Sequence, residues 1–573
     1  MKKIFPYIRP FTGYILLTLG IKVIASSADL LIPYLMEYII SRGAENGDAS
    51  KIYLYGGLMI LCAILGLTFN MIANRMSAVS AGKITKSIRH DLFEKTMHLS
   101  ARQMDSVTVS SAESRLTSDT YNINQILARV QRIGIRAPIL LVGGIAMMLI
   151  IDAGLALIPI ALLPIIALIT YFVTKHSIPL YTKQQTILDR VVRTVQENIT
   201  GVRVIKALSK TQHEKERFNE VNSELKDVGE KAGTITAITM PASSLVLNLG
   251  LTIVVLLGAI RVKGGNTEPS VIVAFLQYFT LILNAMMGVT RIFVMWSKAE
   301  ASARRVADVL QMPEDQALLD AETIEASPAH IEFRNVTFSY TGRGNNLTSL
   351  SFCLQKGQTL GILGSTGSGK STILNLLMRL YDVDDGQILI NGPDIRTIPP
   401  DALAKKFGIV FQNDFIAEGD IAHNIRFFRD IPDEKLILAA RHAQAESILT
   451  EKESGLESNV AVRGNNLSGG QKQRLLIARA LAGDPEILIL DDASSALDYH
   501  TDAMLRKALR ENYRNTTTVL VAQRVSSLRH ADLILVLSDG QVIGCGTHND
   551  LMEACEEYRI IAHTQMGAQE VQV

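Results

Sequence analysis

Cysteine is scarce in this chain, with four in 573 residues, and there is a single tryptophan. Cys62, Cys353, Cys545 and Cys555 stand far apart with no paired spacing. That argues against a disulfide framework and against a zinc site, and it fits a reducing interior. The 11 histidines show no metal-ligand pattern either. Net charge is almost absent: 57 Lys+Arg stand against 56 Asp+Glu, a formal net charge of +1, so no global basic field points to nucleic acid as a partner. The N-terminus, MKKIFPYIRPF, starts basic, but Pro6, Arg9 and Pro10 interrupt its apolar run and no small-residue cleavage site follows. It reads as a short interfacial helix rather than a cleaved signal or organelle presequence.

What the chain has in quantity is apolar sequence. With 48% hydrophobic residues and a mean hydropathy of +0.21, it is too long for one ordinary domain and too apolar for a soluble protein. A membrane span needs about 20 mostly apolar residues. Six stretches qualify, at 11–40, 53–79, 134–151, 155–173, 243–262 and 271–296. Long polar segments separate the second from the third and the fourth from the fifth. Nine Lys/Arg fall between Lys83 and Arg136, and 183–231 is also rich in them. By the positive-inside bias both long segments and the N-terminus are expected in the cytoplasm, with the short loops near Glu45, Asp48, Asp152 and Glu268 outside. KSIRHDLFEKTMHLS and TGVRVIKALSKTQHEKERFNEV keep helical apolar spacing without proline, so the spans are expected to continue as helices into the cytoplasm.

The pattern changes in the C-terminal half. A membrane domain at 1–305 and an acidic, Ala-rich linker at 306–328 give way to a domain at 329–573 that opens on an alternating strand, HIEFRNVTFSY. TLGILGSTGSGKSTILNLLMRLY then reads as strand, glycine loop and helix. It holds G-x-x-x-x-G-K-S: Gly364, Ser365, Thr366, Gly367, Ser368, Gly369, Lys370 and Ser371, followed by Thr372. Glycines let backbone N–H groups wrap phosphates, and the start of a helix adds partial positive charge. Lys370 is placed to reach the β- and γ-phosphates of ATP, and Ser371 to ligate Mg²⁺. Further on, LILDDASSALD reads as a buried strand that delivers Asp491, a second candidate for the metal, with Asp492 directly after it.

LSGGQKQR, at 467–474, lies between the glycine loop and that strand and resembles the signature sequence of ATP-binding cassette (ABC) proteins. Other stretches agree in order. Tyr340 resembles the aromatic that stacks on adenine, Gln412 in VFQND resembles the Gln that senses Mg²⁺ and faces the membrane part, and SALD up to Asp498 resembles the D-loop. The resemblance covers nearly the whole chain and implies a multi-pass α-helical membrane domain followed by an α/β P-loop cassette, that is, a half-transporter of the type IV, exporter-like fold. It also implies a dimer in which each ATP sits between the glycine loop of one cassette and Ser468, Gly469, Gly470 and Gln471 of the other. Segments at 110–124 and 199–208 are expected to dock on cassette grooves near Gln412.

The chain departs from the family pattern at the reaction itself. Asp492 stands in place of the catalytic Glu, Gln523 in place of the switch His, and Val462 where exporters often carry a Glu. An Asp reaches about one bond length less far toward the attacking water, and general-base help worth roughly 10²–10⁴-fold depends on that reach. Gln523 hydrogen-bonds but carries no proton charge. These changes, beside an intact signature, resemble the degenerate subunit of a heterodimeric bacterial multidrug exporter in a cytoplasmic membrane. Gln277, Asn284 and Arg291 recur every seven residues on the sixth span, and Lys22, Ser26 and Asp29 share a face of the first. Polar groups there are costly against lipid, so they are candidates to line a path for an amphipathic drug, lipid or peptide. A homodimeric flippase, an importer on the same fold and a nucleotide-gated regulator are the alternatives.

Overall fold

Apolar runs this long can satisfy their backbone groups in lipid only as helices or closed barrels, and the helical spacing of the flanking segments selects helices. A computed structural model describes residues 2–313, 316–319, 328–342, 344–412, 415–450, 454–493 and 495–570. The chain divides into two units, Met1–Met97 with Val109–Met312, and His98–Thr108 with Pro313–Val573.

In the first unit, six helices among the described residues are long and apolar enough to cross a membrane: Phe5–Ala44, Ala49–Met97, Val109–Ile151, Ala153–Thr200, Thr211–Lys263 and Pro269–Met286. Several continue far past the apolar stretch. Ala49–Met97 is one helix of 49 residues, about 74 Å at 1.5 Å per residue and more than twice the roughly 30 Å hydrocarbon core. π-helical turns at Ile39–Ala44, Arg115–Asp119 and Val130–Gly134 interrupt the regular ladder. Polar ties accompany the packing of the helices. Tyr278, fully buried, donates to the Leu30 carbonyl at 2.7 Å. The buried Asp119 accepts from Ser302 at 2.8 Å and from two nitrogens of Arg305.

The second unit is built on β1 (Ile331–Phe338), β2 (Leu347–Leu354), β3 (Thr359–Gly364), β4 (Asp385–Ile390), β5 (Phe407–Val410), β6 (Gly419–Asp420), β7 (Asn459–Val460), β8 (Ile487–Asp491), β9 (Thr517–Val521), β10 (Leu533–Ser538) and β11 (Gln541–Gly546). They form a three-stranded sheet β2-β1-β4, a six-stranded sheet β11-β10-β3-β9-β8-β5 and a short pair β6-β7. β3, β8 and β9 are parallel neighbours, with Ile362 opposite Val521 and Asp491 opposite Val521. Their apolar runs are buried against two hydrophobic clusters, one around Phe333, Ile373 and Ile489, the other around Ile425, Leu475 and Leu490. This topology gathers the loop after β3, the end of β8 and the end of β9 along one edge, where ligands of open parallel sheets bind.

His98–Thr108, which the sequence pattern assigns to the membrane domain, belongs to this unit. Ser100 and Gln103 form a reciprocal capping box on the helix Ala101–Val107. Arg102 reaches Asp384 at 3.3 Å, and the Tyr381 hydroxyl donates to Asp105 at 2.6 Å. The eleven residues just before Val109, next to the segment expected to dock at 110–124, thus group with the cassette unit.

Candidate nucleotide site

The loop after β3 turns into the helix Lys370–Leu377 through Gly369, which sits at φ 102°. A Cβ there would lie 2.8 Å from Leu347 Cδ2 and 3.1 Å from the Asn346 carbonyl, so both conformation and space demand glycine. The consequence is a helix start whose N–H groups open onto a cavity of about 300 Å³. That cavity is lined by Tyr340, Asn346, Thr366, Gly367, Gly369, Lys370, Ser371, Thr372, Gln412, Asp491, Asp492, Val521 and Gln523. Eleven of these were expected from sequence; Asn346 and Val521 were not. Asn346 accepts the Tyr340 N–H at 3.0 Å, a contact with no local signature beyond the polar run that precedes β2.

Lys370 donates to the carbonyls of Gly364 at 2.9 Å and Ser365 at 2.7 Å, which holds its ammonium over the loop. Burial lowers the pKa of that ammonium, while the carboxylates of Asp491 and Asp492 pull the other way. Ser371 donates to Asp491 at 3.2 Å. Burial raises the Asp491 carboxyl above its ordinary range, and the neighbouring Asp492 adds to that. A hydroxyl, a buried carboxylate and the Gln412 amide around one cavity are hard oxygen donors, a set that suits Mg²⁺. The Ser368 side chain is buried and its Oγ has no partner among the described residues. Tyr340 is fixed edge-on against Phe338 and Tyr381 at 4.8 and 5.0 Å, and its hydroxyl accepts from Asn375 at 3.1 Å.

Two of the three residues that depart from the family pattern, Asp492 and Gln523, meet here. Gln523 Nε2 donates to Asp492 Oδ2 at 3.1 Å, and Asp492 itself sits at φ 53°. Burial raises the Asp492 carboxyl, opposed by the Gln523 bond and by the charges of Lys370 and Arg524.

The signature lies apart from this cavity. Ser468 caps the helix Gly469–Leu481 in a capping box with Gln471, with bonds of 3.2 and 2.9 Å. Ser468 and Gly469 are exposed, and a Cβ on Gly469 would meet nothing nearer than Ala496 Cβ at 3.9 Å. Gln473 links the helix to the end of β8: it donates to the Asp492 carbonyl and accepts from the Ala496 N–H, both at 3.2 Å.

The span residues separate. Lys22 is buried and donates to Asn70 and Asn74, and Asp29 pairs with Arg136 at 3.0 Å. Gln277 is half-buried and Asn284 exposed, while the side chain of Arg291 lies outside the described residues.

Two family models match the chain: the ABC transporter transmembrane region over residues 15–286 and the ABC transporter model over residues 347–495. An uncharacterized ABC transporter ATP-binding protein of Mycobacterium tuberculosis is 31% identical over 574 residues, 98% of this chain and 97% of the relative. YfiB, an uncharacterized ABC transporter ATP-binding protein of Bacillus subtilis, is 31% identical over 570 residues, 99% of both chains. The fatty acid ABC transporter ATP-binding/permease protein of Mycobacterium tuberculosis is 32% identical over 482 residues, 83% of this chain and 76% of the relative. A solved bacterial Atm1-family ABC exporter with ATP bound superposes with a TM-score of 0.80 at 23% identity, over 98% of this chain and 99% of that one. With relatives matched end to end and both of its halves recognised, this chain belongs to the ABC transporters, as a half-subunit of exporter-type fold whose cassette is an ATPase.

Proposed function

We propose that the chain is the degenerate-site half of a heterodimeric ATP-driven transporter in a bacterial cytoplasmic membrane, with both termini in the cytoplasm and an amphipathic drug, lipid or peptide as cargo. The observation that carries this reading is the pair Asp492–Gln523. The short carboxylate is tied to an amide that supplies no proton, in a cassette whose glycine loop keeps its full architecture. In the slow site, the loop N–H groups and Lys370 hold the phosphates, and Ser371, Gln412 and Asp491 would hold Mg²⁺, which when bound offsets phosphate charge. Asp492 orients water weakly, because its reach is short and Gln523 occupies one of its oxygens.

The chain's second role is across the interface. Gly469 is required neither by its own backbone conformation nor by its own packing, and this supports the reading that its space is used by the partner's ATP. The short helix Val202–Ala207 exposes Val202 and Val204, with Ile199 and Leu208 on either side. Such an apolar tip suits the partner's cassette, as Ala101–Val107 suits this one. The relative named for fatty acid supports a lipid-like cargo.

Inside-out vesicles holding this chain together with a competent half-transporter are expected to accumulate or expel a fluorescent amphiphile in the presence of ATP. Vesicles with Lys370→Ala in this chain and its equivalent in the partner should not. Nucleotide binding without any ATP-driven flux, for any amphiphile tried, would favour a regulator.

A further inference from the structure

A membrane helix tolerates a buried lysine when a carboxylate pairs with it, and among the described residues Lys22 forms no ion pair. Its ammonium, on a side chain only 2% exposed, is met by two neutral amides of the second span, Asn70 Oδ1 at 2.6 Å and Asn74 Oδ1 at 3.1 Å. The charged groups that face it are Arg132, Arg136 and Asp29. Arg136 pairs with Asp29 at 3.0 Å, whereas among the described residues Arg132 reaches the Asn74 carbonyl, at 3.4 Å, and no carboxylate. Among the described residues that face Lys22, three cations therefore share one carboxylate, an excess of two positive charges in this cluster. Buried donors remain unused: the Nε atoms of Arg132 and Arg136 have no partner among the described residues. Ser26, 0% exposed and one turn along from Lys22 on the same face, also leaves its Oγ unpartnered among the described residues.

A purely structural network would not be built this way. Uncompensated charge away from water is expensive, and an apolar side chain in place of Lys22 would remove the expense. The mouth of the cluster is open, since Asn74 is exposed and Arg136 half-exposed. On the orientation proposed above, Arg132 and Arg136 lie where the third span leaves the cytoplasm, the level of a headgroup in the inner leaflet.

We infer that this cluster between the first three spans is a binding site for the anionic headgroup, carboxylate or phosphate, of a long-chain amphiphile. The inference rests on the transporter reading for the fate of that amphiphile, though not for its binding. Lys22 supplies a buried ammonium, Arg132 supplies a guanidinium that meets no carboxylate among the described residues, and Arg136 is held in place by Asp29.

The test uses the full transporter, with its partner, in nanodiscs of neutral phosphatidylcholine, and the probes are a fluorescent long-chain fatty acid and its methyl ester. The acid should bind at least about tenfold more tightly than the ester, because charge-assisted bonds are made only to the anion. Arg132→Gln and Lys22→Met should each erase that preference, and Arg132→Lys should retain it. Arg132→Gln strands no carboxylate, and gel filtration reports whether each variant is folded. Equal affinity for acid and ester, or a preference untouched by both neutral substitutions in folded protein, would overturn the site. Free acetate and inorganic phosphate, added in excess, should displace little acid if the alkyl chain is part of the recognition. Displacement by either at low concentration would show a simple anion site and sink the amphiphile. Phosphatidylglycerol competition separates a resident lipid from a cargo: a cargo is moved by ATP and a resident lipid is not. Acid preference in a protein that moves nothing would leave the site standing and defeat the transporter reading. Active flux of neutral amphiphiles with no acid preference would do the reverse.

Discussion

Gly469→Glu in this chain is expected to remove most ATP turnover from the assembled transporter, while Asp492→Asn leaves most of it. The asymmetry follows from where each residue acts. A Cβ at Gly469 meets nothing closer than 3.9 Å in its own chain, so the substitution should leave this cassette folded. The introduced carboxylate would instead project from the exposed start of a 13-residue helix, toward the γ-phosphate of the partner's competent site. It would put like charge where the helix end favours an anion. Asp492→Asn keeps the shape of the side chain and removes a base of short reach, already hydrogen-bonded to Gln523. Phosphate release from the two variants, purified in parallel, gives the ordering. Equal damage would mark Asp492 as a working base. The raised Asp492 carboxyl, closer to the pH at which a base operates, is the feature that favours that rival, homodimeric reading.

Turnover of the isolated chain is the second large effect. Alone, the chain can offer only sites that pair its own Asp492 and Gln523 with its own signature, and phosphate release should be slow. Adding a half-transporter that carries Glu and His at the corresponding positions should raise the rate by about two orders of magnitude, the low end of general-base assistance. A strict homodimer with vigorous activity, abolished by Lys370→Ala, would overturn the heterodimer.

What could be read from the sequence was local. Strand, glycine loop and helix follow one another within about twenty residues, so the loop from Gly364 to Ser371 is legible without knowing any partner. The long cytoplasmic helices were legible for the same reason: apolar residues keep helical spacing between charges, although Ala153–Thr200 also runs through Pro179 and the helix is interrupted at Gly201 and again after Ala207. Contacts made across the chain were not. Tyr381 and Asp384 belong to no motif, and their partners Asp105 and Arg102 lie more than 270 positions away. The capping box of Ser100 and Gln103 was a local signal, and it marks the start of the helix Ala101–Val107. Asn346 and Gln473 were hidden likewise, since each acts by bonding a backbone group brought near only by the fold. On the spans, Lys22 was visible as a cation on one face of an apolar helix, but its partners Asn70 and Asn74 sit on another helix, and the cationic excess appears only when three helices are seen together.

The central claim is that this chain holds ATP and hydrolyses it poorly while completing a site that turns over fast. Photo-crosslinking azido-ATP during steady turnover, then separating the two chains and identifying the nucleotide attached to each, reads that directly. Intact triphosphate on this chain and diphosphate on its partner are predicted. Diphosphate on both chains, formed at the same rate, would contradict it.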